Sequence, residues 1–417
     1  MVTVLVSKIT SRVQYTMDFV FKARGIDYAL VTELSEQVGG TVLVYGHREI
    51  GEHTYITASD LLFEHSILDS SPALCVQDNA EILSFNGTQD VLASIFYVLS
   101  RYEEYLKHVK DEHGRFPASA SLQLRYGWME KCICDRWAEL ILAKLKVVPD
   151  RSVQLVPSFD IDNTFAYKLK SGRRKILSIL RDCVNWETQR ISERRKVSKG
   201  AQDPYDTFAQ ICTIAKSHGL TRVFWLVAPI GPKDRNISIA NAEHQKLILE
   251  MERCVSVGLH PGYASNGSYE QILNEKRALE GVLGRPLDHS RQHFLRFRLP
   301  ETYRVLEKCG FRHEYSMGYA ECLGFRNGTG RAFPWFDLNE NRISELIVHP
   351  FAYMDGTLNE YLHLSISESK ARITALYDEM SIFGGDFVFI WHNETIGNYQ
   401  KWKGWSEVLD FTLNLKK

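Results

Sequence analysis

The chain has 417 residues, of which 44% are hydrophobic and 12% aromatic. That is enough apolar material for two to three packed domains. A net charge of −1 gives no overall indication of a nucleic-acid or anionic-membrane partner, and no apolar window has the length of a transmembrane helix.

The first strand is expected at Val2–Val6. The apolar start at residues 1–7 is too short for the core of a secretion signal and has no basic segment before it, so a cytoplasmic chain is expected. The eight cysteines are scattered. Without a secretion signal they read as reduced, mostly buried thiols, and the spacing of Cys132 and Cys134 is not that of a zinc knuckle. A helix is plausible over residues 12–24 and a strand over 41–45. Residues 90–105 predict an amphipathic helix, with Val91, Leu92, Ile95, Phe96 and Leu99 at helical spacing and Asp90 as N-cap. Its charged end carries Arg101, Glu103 and Glu104. A loop at 111–117 with Asp111 and Arg115 follows, to be read either as solvated or as packing at the mouth of a site between domains. A helix near 134–147 closes this unit, and Pro149 and Asp150 mark a boundary. Residues 1–150 therefore predict a smaller α/β domain, and 151–417 a second one.

The second part opens with an apolar run, 153–157, leading into Ser158-Phe159-Asp160-Ile161-Asp162. Two Asp on alternate strand positions share a face. Carboxylates that close call for a metal, a shared proton or a basic partner. The pair could also cap a helix or pair with Arg173 or Arg174. Residues 185–203 are rich in Arg, Lys, Glu and Ser and read as a solvated insertion or a lid. Further strands are expected at 223–228, 255–259, 294–297, 343–348 and 387–391, with helices such as 268–283 and 367–382 between them. That βα rhythm predicts a parallel barrel or sheet with its chemistry at the C-terminal strand ends.

Five candidates fall at such ends: the Asp160/Asp162 pair, His260, Arg291 with His293, His349 and His392. Imidazole with carboxylate suits zinc and similar divalent ions. A metal there would polarise a carbonyl and acidify water, a carboxylate would take the water's proton, and a second His would protonate a leaving amine. The structural reading remains beside it: a His at a strand end is commonly a hydrogen-bonded core residue. Trp335, Phe336 and Trp391 stand near these sites; aromatic strand residues are usually core, and Trp391, beside His392, is the one also read as a substrate contact.

In this order the motifs resemble those of the polysaccharide deacetylase superfamily, the NodB-homology or carbohydrate esterase 4 proteins, over residues 153 to 415. Residues 158–162 resemble its Thr-Phe-Asp-Asp motif. This implies Asp160 as catalytic base and Asp162 as metal ligand, with Ile161 inserted between them. Gly258-Leu259-His260-Pro261 resembles the His-Ser/Thr-x-x-His motif, implying His260 as metal ligand. Ala264 stands where the second metal His is expected. Arg291-Gln292-His293-Phe294 resembles Arg-x-Pro-Tyr, implying that Arg291 orients the base, and His293 can replace the missing ligand. Phe389-Ile390-Trp391-His392 resembles the last motif, whose His is the general acid. Residues 100–104, 113–117, 318–329 and 391–394 are similar to a bacterial subgroup with an added, uncharacterised N-terminal domain.

The resemblance implies a distorted (β/α) barrel of about seven strands behind the smaller α/β domain. It implies a metal-dependent deacetylase, with zinc as the expected ion, that hydrolyses the N-acyl (acetyl) group of an amino sugar or glycan precursor. Tyr263, Arg326 and Trp391 are the expected substrate contacts, with Arg326 read either as a clamp on an acidic substrate group or as a salt-bridge partner of Asp337 or Glu321. The alternative is a catalytically silent glycan-binding or scaffold protein on the same fold, which rests on Ala264. No sequence feature specifies an oligomer.

Overall fold

The computed structural model describes residues 1–34, 40–69, 71–77, 80–170 and 172–415. The N-terminal part holds two sheets. Strands β1 (Val2–Val6), β2 (Tyr28–Val31), β3 (Thr41–Gly46) and β4 (Thr54–Thr57) form a parallel sheet in the order β2-β1-β3-β4. Every residue of β1 is buried, as a central parallel strand with both faces covered requires. Strands β5 (Ala73–Gln77), β6 (Ala80–Phe85) and β7 (Thr88–Gln89) make a small antiparallel sheet.

The helix expected over 12–24 is Ser11–Val20, followed by a 3₁₀ turn that ends at Gly25. The amphipathic helix is Val91–Leu99, with Asp90 accepting from the Ala93 N–H at 2.9 Å. It stops earlier than expected because Arg101 takes a left-handed backbone with φ 57°. A 3₁₀ turn, Tyr102–Tyr105, follows, and the helix Ile133–Leu145 closes the unit.

Among the described residues the second part is built on one sheet of nine strands: β8 (Val153–Ile161), β9 (Arg222–Leu226), β10 (Ser256–His260), β11 (His289–Ser290), β12 (His313–Glu314), β13 (Phe333–Asp337), β14 (Arg342–Val348), β15 (Phe351–Met354) and β16 (Gly385–His392). Their order is β13-β14-β12-β11-β10-β9-β8-β16-β15. All pairings are parallel except that of β13 with β14. β13 and β15 remain as edges, so the expected barrel of about seven strands is an open sheet of nine. The sheet curls: Arg291, just past β11, reaches Asp160 and Ser158 on β8, three strands away. Residues 294–297 are not a strand. Phe294 and Leu295 have φ of 61° and 50°, and a 3₁₀ turn, His293–Leu295, takes the place of extended chain.

The polar segment 185–203 carries the helix Thr188–Ser198, which packs against the preceding helix Gly172–Val184 through Asp182, paired with Arg190 and Arg194 at 3.1 and 2.6 Å. Among the described residues none of 172–203 lines the pocket described below. Cys212 and Cys254 are joined as a disulfide, which corrects the expectation of eight free thiols.

The charged residues after the first amphipathic helix are not solvated. Arg101, Glu104 and Arg326 are 1%, 5% and 2% exposed. Glu104 accepts from Arg101 at 2.7 Å and from both sides of the Arg326 fork at 2.9 and 2.7 Å. Arg101 also donates to the Arg326 carbonyl at 2.5 Å. This cluster fastens the two parts of the chain together.

Candidate active site

Asp160 and His392 end neighbouring parallel strands and are register partners. His260 ends β10, so three strands deliver residues at their C-terminal ends to one place. Asp160 is 3% exposed, and its Oδ1 accepts from Arg291 at 2.8 Å. The Arg291 guanidinium is itself fixed: it donates to Ser158 Oγ at 2.8 Å and to the Tyr315 carbonyl at 3.0 Å, and lies 4.4 Å over the Phe224 ring. Asp160 is thus held by a planar, permanently charged partner. The side chains of Arg173 and Arg174 lie outside the described residues.

Asp162, His260 and His293 place one ligand atom each within 4.8 Å of one another. The donor set suits a divalent ion on three observations. His260 Nδ1 donates to the Arg291 carbonyl at 2.6 Å, which leaves its Nε2 lone pair toward Asp162 at 3.2 Å. His293 Nδ1 faces Asp234 Oδ1 at 2.8 Å, which leaves Nε2 3.3 Å from Asp162. A ring nitrogen anchored on a carbonyl or carboxylate, with the other presented inward, is the usual arrangement of metal-binding histidines. Third, Asp162 Oδ1 is buried and makes no hydrogen bond among the described residues. The field there favours positive charge. Burial opposes charging of His293, but Asp162 and Asp234 outweigh it and raise its pKa to about 9. Burial also opposes ionisation of Asp162, yet His293 and His260 hold its carboxyl well below the usual range.

Ala264 has its own place in this arrangement. Its N–H and that of Tyr263 donate to the two oxygens of Asp234, at 3.2 and 2.7 Å, so the loop that lacks a ligand holds the carboxylate that orients His293. The loop passes so close that a Cβ on Gly262 would meet the Ala228 Cβ at 2.4 Å.

His392 faces the same point from β16, its Nε2 3.8 Å from Asp162. Its Nδ1 donates to Asp355 Oδ1 at 2.9 Å. Burial opposes charging of this ring, but Asp355, with Asp162 and Asp160 behind it, raises its pKa well above the ordinary imidazole value. Glu394 also lines the pocket and accepts from Asn163 at 3.1 Å. Burial and the nearby Asp162 push its carboxyl up to about 7.

These groups open into a cavity of about 170 Å³. Its wall includes Tyr361 and Trp402 and, from the N-terminal part, Arg115. Arg115 is braced by Asp111 at 2.7 Å and donates to the Phe294 carbonyl at 2.7 Å, so the 111–117 loop packs at the mouth.

Three expected substrate contacts lie elsewhere. Arg326 is buried on Glu104, and its guanidinium cannot clamp a substrate without abandoning that carboxylate. Trp391 is fully buried, its indole N–H donating to Tyr353 Oη at 3.3 Å, since its side chain points to the opposite face from His392. Tyr263 packs between His113, Phe294 and Arg296 rather than lining the cavity. His349 stacks on Tyr315 and contacts His313 at 3.0 Å, a core role. Asp234 and Asp355 were not among the expected site residues, whereas Arg115 belongs to the loop that could pack at the mouth. Asp355 had a readable signal, because it follows the apolar run of β15 just as Asp160 ends that of β8. For Asp234 the sequence carries none.

Residues 2–148 match a family of unknown function, DUF7033. Among solved structures, a Mycobacterium smegmatis protein provisionally assigned as a polysaccharide deacetylase aligns with 64% of this chain and 87% of its own, at 13% identity and a TM-score of 0.40. The Puue allantoinase aligns with 64% of this chain and 85% of its own, at 13% identity and a TM-score of 0.38. The polysaccharide deacetylase of Bacillus cereus aligns with 64% and 86%, at 11% identity and a TM-score of 0.30. No curated protein matches the chain in sequence. Among the described residues no helix is long and apolar enough to cross a membrane.

Proposed function

We propose that this pocket is the active site of a metal-dependent hydrolase that removes an N-acyl group, acetyl in the first instance, from an amino sugar or glycan precursor. The observation that carries the proposal is the convergence of Asp162, His260 and His293 beside the Arg291-bound Asp160. The motif resemblance supports the acyl-amide substrate, and Tyr361 and Trp402 put aromatic side chains in the pocket wall. The scaffold alternative rested on Ala264. His293 brings the candidate donors to three, which supports the hydrolase reading over the scaffold one.

Asp162, His260 and His293 would hold the ion. When bound, a zinc-like ion supplies Lewis acidity toward an amide carbonyl and makes water a stronger acid. The protein groups do the proton work. Asp160, oriented by Arg291, takes a proton from the attacking water. His392, oriented by Asp355, gives its ring proton to the departing nitrogen, so the C–N bond breaks to release carboxylic acid and amine. Asp160 then loses its proton, and His392 regains one, by exchange with solvent.

The test is acetate release from a panel of N-acetylated amino sugars, by purified chain stripped with a chelator and reloaded with zinc. Release restored by zinc supports the reading. A chain that binds no divalent ion and releases no acetate overturns it. Two variants refine it. Asp234→Asn is expected to weaken metal affinity about 10–100-fold, as loss of an outer carboxylate on a ligating His does, measured by competition with a chromogenic chelator. Arg115→Ala is expected to raise KM about tenfold with kcat nearly unchanged, the pattern of a lost binding contact, read from initial rates.

A further inference from the structure

The helix Gly172–Val184 is turned the wrong way for a helix covered only by water. Its inward face is polar: Ser178 accepts from Arg194 at 2.7 Å, and Asp182, 1% exposed, pairs with Arg190 and Arg194. Its outward face is apolar. Ile176, Ile179, Leu180 and Val184 recur at helical spacing and are 59%, 36%, 54% and 74% exposed, and Trp186 follows at 84%. Soluble helices normally bury such a stripe, and large apolar side chains grouped on a surface mark a site of interaction.

Charge defines the partner further. Residues 170–199 carry ten Lys and Arg against three Asp and Glu, in a chain whose net charge is −1. The near-neutral total therefore conceals a strongly basic segment. An apolar stripe with a Trp at its end, set in a basic surrounding, is the composition of a helix that lies in the interface of an anionic bilayer. The apolar side chains enter the acyl boundary while the cations meet lipid phosphates.

We propose that the helical hairpin 172–198 docks this protein onto an anionic phospholipid surface. The location gives the docking a use. A cleft of about 520 Å³ lined by Ser178, Arg181, Arg190 and Ile230 also includes Asn163, and Asn163 donates to Glu394 in the wall of the active-site pocket. The hairpin leaves the sheet directly after β8, which carries Asp160. Docking there sets the pocket close to the membrane plane and within reach of a substrate anchored in it. The proposal does not depend on the reaction assigned to the pocket.

The experiment is co-sedimentation of the full chain with vesicles of phosphatidylglycerol and phosphatidylcholine in equal parts, and with phosphatidylcholine alone. Binding is expected to the mixed vesicles, to weaken with salt, and to be slight on the neutral ones. The double variant Ile176→Asp/Leu180→Asp is expected to bind about tenfold or more weakly, and Arg195→Glu/Lys196→Glu to lose much of the preference for anionic lipid. All four positions are exposed or on the outward face, and unchanged thermal melts verify the fold. Equal binding to both vesicle types, no binding to either, or equal binding by wild type and the apolar-face variant overturns the proposal. So does a concentration-dependent dimer that the same variant dissolves, since a second copy would then cover this face.

Discussion

Glu104→Ala is expected to destabilise the folded chain by about 3–5 kcal/mol, the range found when one member of a buried ion cluster is removed. Glu104 is the shared acceptor of two buried guanidiniums. Without it Arg101 keeps Glu103 at 2.8 Å, whereas Arg326 keeps the Gly318 carbonyl and the aromatic faces of Tyr319, Phe297 and Phe116, with no carboxylate among these partners. A nearly uncompensated charge then remains inside the junction of the two parts. Urea unfolding would measure the loss. The double variant Glu104→Leu/Arg326→Met should recover most of it, because replacing both partners by apolar groups removes the stranded charge. The pH dependence follows from the carboxyl. Burial opposes its ionisation, but Arg326 and Arg101 outweigh it and lower its pKa. A depressed carboxyl contributes its full stability above the unfolded value of about 4.3 and loses it as pH falls through the folded value. The stability gap between wild type and Glu104→Gln should therefore be widest near neutrality and narrow below about pH 4. A gap that does not change with pH would mean that the Glu104 carboxyl has the same pKa folded and unfolded, and a gap that widens below about pH 4 would mean that it is held neutral in the fold.

That junction also explains why one expected site residue was misplaced. Arg326 sits in a glycine-rich loop, which reads as exposed chain. The structure gives the glycine a different reason. At Gly324, φ is 113° and a Cβ would stand 2.0 Å from the Met129 carbonyl, so the loop is glycine-rich because the N-terminal part presses against it. The partner that buries Arg326 lies 222 residues earlier, a separation no local pattern spans. The ends of β8, β10 and β16 were legible because parallel strands put side-chain chemistry at their C-terminal ends, and the Asp and His types there are few. The carboxylates behind the histidines were not. Asp234 stands 59 residues from His293, and Asp355 37 residues from His392. Their function is set by which loops the curled sheet brings together. The strand expected at 294–297 failed for a local reason, the two left-handed residues Phe294 and Leu295. The short strands β11 and β12 have two residues each and leave no periodicity to read.

The two acids at the end of β8 should separate by function when changed to their amides. Asp160→Asn is expected to lower kcat by about 10²–10⁴-fold, the usual worth of a positioned acid–base group, with bound metal unchanged. Its carbonyl oxygen can still accept from Arg291, so the geometry persists while the basicity disappears. Asp162→Asn should instead lose metal and activity together, because Asp162 supplies the carboxylate of the donor set. His392→Ala separates from both through the leaving group. A sugar amine must be protonated to depart, so amide hydrolysis should fall about 10²–10⁴-fold. An acetate ester of 4-nitrophenol releases a stable phenolate, needs no acid, and should be hydrolysed at close to the wild-type rate. Equal losses on amide and ester would show that His392 shapes the pocket instead of donating a proton. Retained amide hydrolysis in Asp160→Asn would move the base to another carboxylate, with Glu394 in the pocket wall the first to test.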